Sequence, residues 1–395
     1  MYDIQSYNKS IELLKKASTP AGFVAAVQEK DNYRRVWARD GNVCSMAALL
    51  SGDAELINTA RATIETLFTH QHPNGNIPSN VTPETKSVSY GGIVGRADNP
   101  SWAVIGLCQY TLMTGDTSLS LQFSKGVEKC LNMLEAWEYN GRHLVYVPQS
   151  GDWADEYIQH GYILFEQLLR VWALRLAARV YGNADWAAKA AQITTVIKNN
   201  YWQQPDPSKL YARNWAGKLQ DAFKGYWLMG FNPSRIYAYF DLQANALALL
   251  LNIGDAKQDA MVTDWVQDLY KKRWNNLLPS FYPTILDTDE DMKELLGNYA
   301  YTFRNNPYEF HNGGLWPVWN GWMALALAGT EKKEMATSLT AAIHKANNAS
   351  DSHFNECLQG LTNAPCGIPQ CAWSAAGAII AEQGISGKRL ITTVD

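Results

Sequence analysis

No stretch of eighteen uncharged apolar residues occurs anywhere in this chain, so a membrane-spanning helix is not expected. There is also no basic block: 34 Lys and Arg stand against 38 Asp and Glu, a formal charge of −4, and the absence of a cationic stripe argues against nucleic acid as a partner. Histidine is scarce. His70, His72, His143, His160, His311, His344 and His353 never recur with another ligand on one helix face, so neither a metal nor any other cofactor is expected. The cysteines (Cys44, Cys108, Cys130, Cys357, Cys366, Cys371) are scattered, three of them in apolar helical runs, which reads as reduced core thiols and not as a disulfide framework. The opening MYDIQSYNKSIELLKK lacks the charged-then-apolar pattern of an export leader, and the expectation is a soluble, cytoplasmic protein. Without export, Asn80-Val81-Thr82 and Asn348-Ala349-Ser350 mean nothing as glycosylation sites. GGIVG (91–95) does not follow a strand and open a helix, which excludes a dinucleotide turn. Asp287 to Asp291 lacks the glycine and spaced glutamate of a calcium loop and reads as a solvated acidic run.

What the chain does have is a recurrent phrase, an apolar helix closed by glycine and followed by Asp, Asn or Thr: Gly52-Asp53, Gly115-Asp116, Gly182-Asn183, Gly254-Asp255 and Gly329-Thr330, with a weaker echo at Gly384. Glycine suits the left-handed residue past a helix end, and the next side chain can accept free amide hydrogens of the helix that follows. The gaps are about 63, 67, 72, 75 and 55 residues, enough for a helix pair plus a long loop.

Apolar residues three and four apart predict twelve helices, at about 4–16, 40–51, 54–70, 101–114, 118–138, 160–181, 184–201, 241–253, 256–272, 315–328, 331–347 and 371–384. The first member of each pair (SMAALL, ALALLL, WMALALA, WSAAGAIIA) is apolar nearly all round; the second (AELINTARATIETLF) is amphipathic. First members therefore form an inner ring and second members an outer one. Helix 371–384 lacks a successor and helix 4–16 a predecessor, so pairing the two closes an all-α (α/α)6 barrel, a six-hairpin toroid in one domain spanning residues 1–395. The segments 72–100, 139–159, 203–240, 273–314 and 348–370 build its mouth, with minor β structure such as HLVYVPQ (143–149), and rigidly held loops are where sites sit.

Fifteen Trp and twenty Tyr are many for this length, and the tryptophans gather with acids where the inner helices start: Trp37, Arg39 and Asp40; Asp98 and Trp102; Asp152, Trp153, Asp155 and Glu156; Glu309, His311, Asn312 and Trp316; Glu356 upstream of Trp373. Indoles stack on the apolar faces of sugars while carboxylates, guanidinium and amides bind hydroxyls, so a small uncharged carbohydrate fits best. The alternative is that each Trp plugs a barrel end and each acid caps a helix. Glycoside hydrolysis needs one carboxylic acid to protonate the leaving oxygen and a second carboxylate to activate water or attack carbon. Asp155 and Glu356, from the third and sixth hairpins, lie at facing positions of a six-fold ring, a separation that predicts inversion.

VWARDGNVCSMAALLSGD (36–53), ADNPSWAV (97–104), SGDWADEY with HGYILFEQLLRVWAL (150–174), EFHNGGLWPVW (309–319) and FNECLQG with PQCAWSAAG (354–377) resemble, in order, the successive motifs of the six-hairpin glycosidases, nearest to the neutral/alkaline invertases and the glucosidase domain of glycogen-debranching-type enzymes. The resemblance implies Asp155 as general acid with Gln167 as the matching helix glutamine, Glu356 as general base, Arg39 and Asp40 on sugar hydroxyls, and His311 with Asn312 nearby. Trp37, Asp98, Trp153, Gln243, Trp316 and Trp373 complete the expected sugar-binding set. Two departures stand out. Glu156 follows the acid directly and Asp152 precedes it, which would raise the acid's pKa, and Glu356-Cys357-Leu358-Gln359 replaces the usual aromatic pair and aspartate after the base, which leaves Glu309 as a rival base. The expected function is an inverting hydrolase of a small α-linked glucoside or oligosaccharide, with sucrose among the candidates. An epimerase, a lyase, a phosphorylase and a non-catalytic sugar-binding protein of the same barrel class are the rivals. Oligomeric state is not legible.

Overall fold

The computed structural model describes residues 4–204, 206–273, 276–298 and 302–393. Its helices, in chain order, are α1 (Ile4–Lys16), α2 (Ala38–Ser51), α3 (Ala54–Thr69), α4 (Asn99–Thr114), α5 (Ser118–Gln122), α6 (Ser124–Ala136), α7 (Leu164–Tyr181), α8 (Ala184–Asn200), α9 (Ala216–Ala222), α10 (Leu242–Leu250), α11 (Ala256–Lys272), α12 (Asp291–Leu296), α13 (Pro317–Leu327), α14 (Lys333–Ser352) and α15 (Ala372–Ile385). Helices α2, α4, α7, α10, α13 and α15 pack side by side in that order, and α15 returns to α2, closing the inner ring of an (α/α)6 barrel. Helix α1 packs on α15 and touches α14 and α3, so the first helix of the chain is the outer partner of the last.

Burial follows the sequence pattern. Every residue of α13 is buried, as are all but the last of α2, whereas α3 buries only Leu56, Thr59, Ala60, Thr63, Ile64, Leu67 and Phe68, one stripe at three-and-four spacing. The inner helices α13 and α15 approach backbone to backbone: a Cβ on Gly377 would lie 2.6 Å from Val318 Cα, so only glycine permits the crossing.

Three of the hinge glycines take the left-handed conformation, with φ of 77° at Gly52, 76° at Gly115 and 64° at Gly182. The residues that follow cap as expected: Asp53 accepts from the amides of Glu55 and Leu56, Asn183 from those of Asp185 and Trp186, and Asp255 forms a full capping box with Gln258. The other glycines differ. In the turn before Gly254 it is Asn252 that is left-handed, with φ 50°, while Gly254 leaves room for the Asp259 carboxylate, 2.6 Å from where its Cβ would be. Gly329 has no positive φ, and Gly384 lies inside α15, where a Cβ would come within 2.8 Å of the Leu325 side chain.

Two helices also depart from the periodic pattern. The expected helix 118–138 breaks at Phe123, whose ring turns to stack on Phe68 at 5.2 Å, and the helix expected from 160 starts at Leu164 because Tyr162–Ile163 joins a sheet. That antiparallel sheet runs Tyr162–Ile163, Leu228–Phe231, Ile236–Asp241, Phe281–Tyr282. Residues 143–149 contribute only a bridge between Val147 and Gly161. A three-stranded sheet (Val36–Trp37, Asn80–Val81, Val88–Ser89) and a hairpin (Cys357–Leu358 with Pro365–Cys366) lie, like the larger sheet, in segments leading into inner helices. Segment 17–37, leading into α2, is a sixth such segment beyond the five expected. The six cysteines are all free thiols, five of them buried and Cys366 partly exposed.

Candidate active site

Each inner helix, or the segment just before it, presents polar side chains at its N-terminal end. Arg39 and Asp40 occupy the first turn of α2, Asp98 precedes α4, Asp152 and Asp155 lie in the segment before α7, Gln243 is the second residue of α10, His311 precedes α13, and Glu356 and Trp373 flank the start of α15. Free amide hydrogens and the positive end of each helix dipole point to this face, which favours acidic and hydroxylated groups there.

At the centre Arg39 Nη1 meets Asp98 Oδ2 at 2.5 Å, both side chains being buried. Burial opposes the guanidinium charge, but Asp98, Asp40 and, further off, Asp155 hold Arg39 above its ordinary pKa. Asp40 is pushed up to about 6 by burial, with Arg39 opposing. Asp152 and Glu166 are buried as well; burial, then the neighbouring carboxylates, raises both, Asp152 to about 7.

The expected acid and base have contrasting surroundings. The Asp155 side chain keeps 33% exposure and is paired with Arg96 at 2.5 Å. Glu156 turns away to a two-point pair with Arg304, at 3.1 and 2.9 Å, and Asp152 points inward, so the acid is not crowded by negative charge as its sequence neighbours imply; its partner is a guanidinium. Glu356 is buried. The Tyr33 hydroxyl donates to its Oε1 at 2.9 Å and the Ile368 amide to its Oε2 at 3.1 Å. Burial pushes Glu356 up to about 7 despite those donors and the Arg304 charge, and Asp40 adds to the rise. The charge on Asp155 acts on Arg39, and that on Asp40 acts on Glu356. The seat of Glu356 requires Gly367, which has φ 76° and whose Cβ would stand 2.8 Å from Glu356 Cβ. Glu309, the rival base, is only half-buried and accepts from Asn306 Nδ2 at 2.9 Å.

The wall beside Arg39 is aromatic. Trp153 makes edge contacts with His311, Trp316, Trp319 and Trp373 at 5.0, 5.2, 5.1 and 6.4 Å, and Arg39 lies 6.0 Å from the Trp373 ring centre. His311 stacks on Trp316 at 5.4 Å; burial and then the Arg304 and Arg39 charges hold it well below its usual pKa, so it is neutral. Several buried polar atoms here have no hydrogen-bond partner among the described residues: Arg39 Nε, Asp98 Oδ1, the indole N–H groups of Trp153 and Trp373, His311 Nδ1 and both amide atoms of Gln243. Such atoms are costly to bury unpaired, and a polyhydroxylated ligand could satisfy them.

Four expected residues do not join this group. Gln167 Oε1 accepts from the Val145 amide and its Nε2 donates to the Val145 and Ile163 carbonyls, so its amide fastens the segment before α7 and has nothing left for a sugar. Asn312 is likewise consumed by the Ile285 backbone and the Asn305 carbonyl. Trp316 donates its N–H to Phe310 and offers only its face, and partly exposed Trp37 donates to the Asn32 carbonyl at the rim. Conversely, Tyr33, Arg96, Arg304, Glu166 and Gly367 are not among the sugar-site residues expected from the sequence. Tyr33 had a signal: a long segment precedes every inner helix, and 17–37 is the one before α2. Among the described residues no group of three or more His, Cys, Asp or Glu converges as a metal site, and no helix is long and apolar enough to cross a membrane.

A closed ring of six helical hairpins with carboxyls and tryptophans at one mouth defines the six-hairpin glycosidase fold. Solved structures share it: a mannosylglycerate hydrolase of Thermus thermophilus superposes with TM-score 0.68 over 95% of this chain and 99% of its own, at 13% identity, and a bacterial glucoamylase complexed with acarbose with TM-score 0.67 over 97% and 56%, at 15% identity. At such identities the likeness concerns the fold alone. Residues 187–386 match the alkaline and neutral invertases, and the chain belongs to that family. Relatives include a probable alkaline/neutral invertase A, chloroplastic, of Arabidopsis thaliana, 21% identical over 83% of this chain and 61% of its own length, and a neutral/alkaline invertase 3, chloroplastic, of Oryza sativa subsp. japonica, 21% identical over 94% and 72%. The chain thus spans about 61% of the Arabidopsis relative.

Proposed function

We propose that this chain hydrolyses a small α-linked glucoside or oligosaccharide with inversion of configuration, with sucrose a leading candidate because the relatives are named invertases. The observation that carries the reading is the set of unpaired buried polar atoms on Arg39, Asp98, Trp153, Gln243, His311 and Trp373, set among tryptophan rings at the helix starts that also carry Asp155 and Glu356. A sugar in the cleavage subsite would satisfy those atoms. Asp155, before α7, and Glu356, before α15, belong to helices three places apart in a six-membered ring, which favours a gap wide enough for the attacking water.

In this mechanism Asp155 gives its proton to the glycosidic oxygen as that bond breaks, and Glu356 takes a proton from water as the water oxygen bonds the anomeric carbon from the opposite face. Tyr33 and Ile368 fix the base carboxylate. The ion pair with Arg96 must open before Asp155 can carry and donate a proton, so substrate entry is coupled to displacement of Arg96.

A disaccharide panel including sucrose, with the product anomer followed by NMR in the first minutes, tests the proposal. Inverted product is expected, and retained configuration would refute the wide carboxyl gap. Saturable sugar binding without product would leave a non-catalytic binding protein.

One observation favours a second reading in which the roles are exchanged: burial leaves Glu356 the readier proton carrier, while Asp155 rests in an ion pair. Glucosyl fluoride separates the two, because fluoride leaves without a proton. Asp155→Asn retaining fluoride hydrolysis while Glu356→Gln loses it supports the first assignment, and the opposite pattern supports the second.

A further inference from the structure

The hairpin that carries Glu356 holds a pair of thiols with no part in the chemistry above. Cys357 lies directly opposite Cys366 in the antiparallel ladder. Opposed residues of such a ladder have Cα atoms roughly 4.5–5.5 Å apart, within the roughly 4.4–6.8 Å that a disulfide spans, so a bond could close here without moving the chain far. Both are free thiols in the reduced chain. Cys357 is fully buried, whereas Cys366 is partly exposed.

The two thiols divide the labour of thiol–disulfide exchange. The hydrogen bond from Cys357 pulls Cys366 down to about 7, against its burial, while burial keeps Cys357 well above its usual value and protonated. The accessible sulfur is the nucleophile and the buried one stands behind it.

This pair also brackets the base. Glu356 immediately precedes Cys357, and Gly367 and Ile368 immediately follow Cys366. Gly367 packs on the Glu356 carboxylate, the Ile368 amide donates to it, and the Glu356 amide donates to the Ile368 carbonyl at 2.8 Å. Closing a bond of roughly 2.05 Å between the two sulfurs would pull on the two strands that form this seat.

We propose that Cys357 and Cys366 form a reversible disulfide by exchange with a small organic disulfide such as glutathione disulfide, and that the bond lowers turnover by shifting the seat of Glu356, a regulatory consequence that rests on the base role given above. The Cys366 thiolate attacks one sulfur of the small disulfide, forming a mixed disulfide and expelling a thiolate. Cys357 then loses its proton to that thiolate and attacks Cys366 sulfur, breaking the mixed bond and releasing the second thiol. Two protein thiols are oxidised by two electrons, and one small disulfide is reduced to two thiols.

The experiment incubates the full chain with graded glutathione disulfide, traps free thiols by alkylation, maps linked peptides by mass spectrometry and measures turnover on the same samples. The expected result is one linkage, between the peptides carrying Cys357 and Cys366, with turnover falling about fivefold and recovering with dithiothreitol, on the view that sub-ångström displacement of a catalytic group costs up to about a hundredfold. Cys366→Ser should show reduced-state turnover and no response. Absence of the linkage, a linkage to Cys371 instead, or a linkage with unchanged turnover overturns the proposal. If the reduced protein hydrolyses no sugar, the hydrolase reading falls separately; amide exchange at Ile368 then decides, and equal rates in oxidised and reduced protein overturn the coupling.

Discussion

Gly367→Ala tests how tightly the base is seated. The position has φ 76°, and an added Cβ would stand 2.8 Å from Glu356 Cβ and 3.1 Å from its Cδ. The first contact is about 0.7 Å short of a normal carbon–carbon approach of roughly 3.5 Å, so the carboxylate or its strand must yield by most of that distance. The left-handed backbone itself costs a non-glycine residue about 1–2 kcal/mol. Gly52→Ala is the matched control, with φ 77° and nothing within 4 Å of its Cβ. Both variants should lose about 1–2 kcal/mol of stability, read as similar melting shifts of a few degrees. Only Gly367→Ala should lose turnover, by about a hundredfold if the base moves by most of an ångström, with KM changed far less because the sugar contacts stand elsewhere. Steady-state kinetics on the best sugar from the panel, beside calorimetry on both proteins, provides the comparison. Equal turnover in the two variants would refute the claim that this glycine positions Glu356.

The remaining predictions concern charge. Burial raises Glu356 to about 7 in the folded chain from an ordinary value of 4.5, so the folded state binds this proton more tightly and stability falls as pH rises between those values; Glu356→Gln removes the loss, and its melting temperature relative to the parent should be higher at pH 8 than at pH 5, an equal difference at both values counting against the assignment. As general base Glu356 must be ionised, so kcat/KM should fall on the acidic side with an apparent pKa near 7, and a flat profile from pH 5 to 8 would contradict the role. The buried Arg39–Asp98 pair at 2.5 Å implies that Arg39→Met alone destabilises by about 3–5 kcal/mol through the unpaired carboxylate, and that Arg39→Met with Asp98→Leu costs less; a double variant no better than the single one, by denaturant unfolding, would show that the pair is not the cause.

The chain's own pattern was enough for the barrel. The alternation of all-apolar and one-sided helices dictates which ring each joins, because a helix walled on both sides must be apolar all round, and Gly52, Gly115 and Gly182 mark hinges through a backbone demand local to each turn. Local signals failed where a neighbour distant in sequence decides the matter: Phe123 leaves its helix to stack on Phe68, and Gly384 is small because Leu325 presses on it.

The site divides along the same line. That Arg39, Asp40, Asp98, Asp155, His311 and Glu356 gather at one mouth was legible, since each lies at or before the start of an inner helix and a ring brings such starts together. The partner of each was not. Asp155 meets Arg96 in place of its acidic neighbours, Gln167 is spent on Val145, and Glu356 is held by Tyr33, 323 residues away in the chain. Residue types and periodicity specify which groups must come near one another; hydrogen bonds and burial between remote loops set the charge each carries, and only the closed ring decides those.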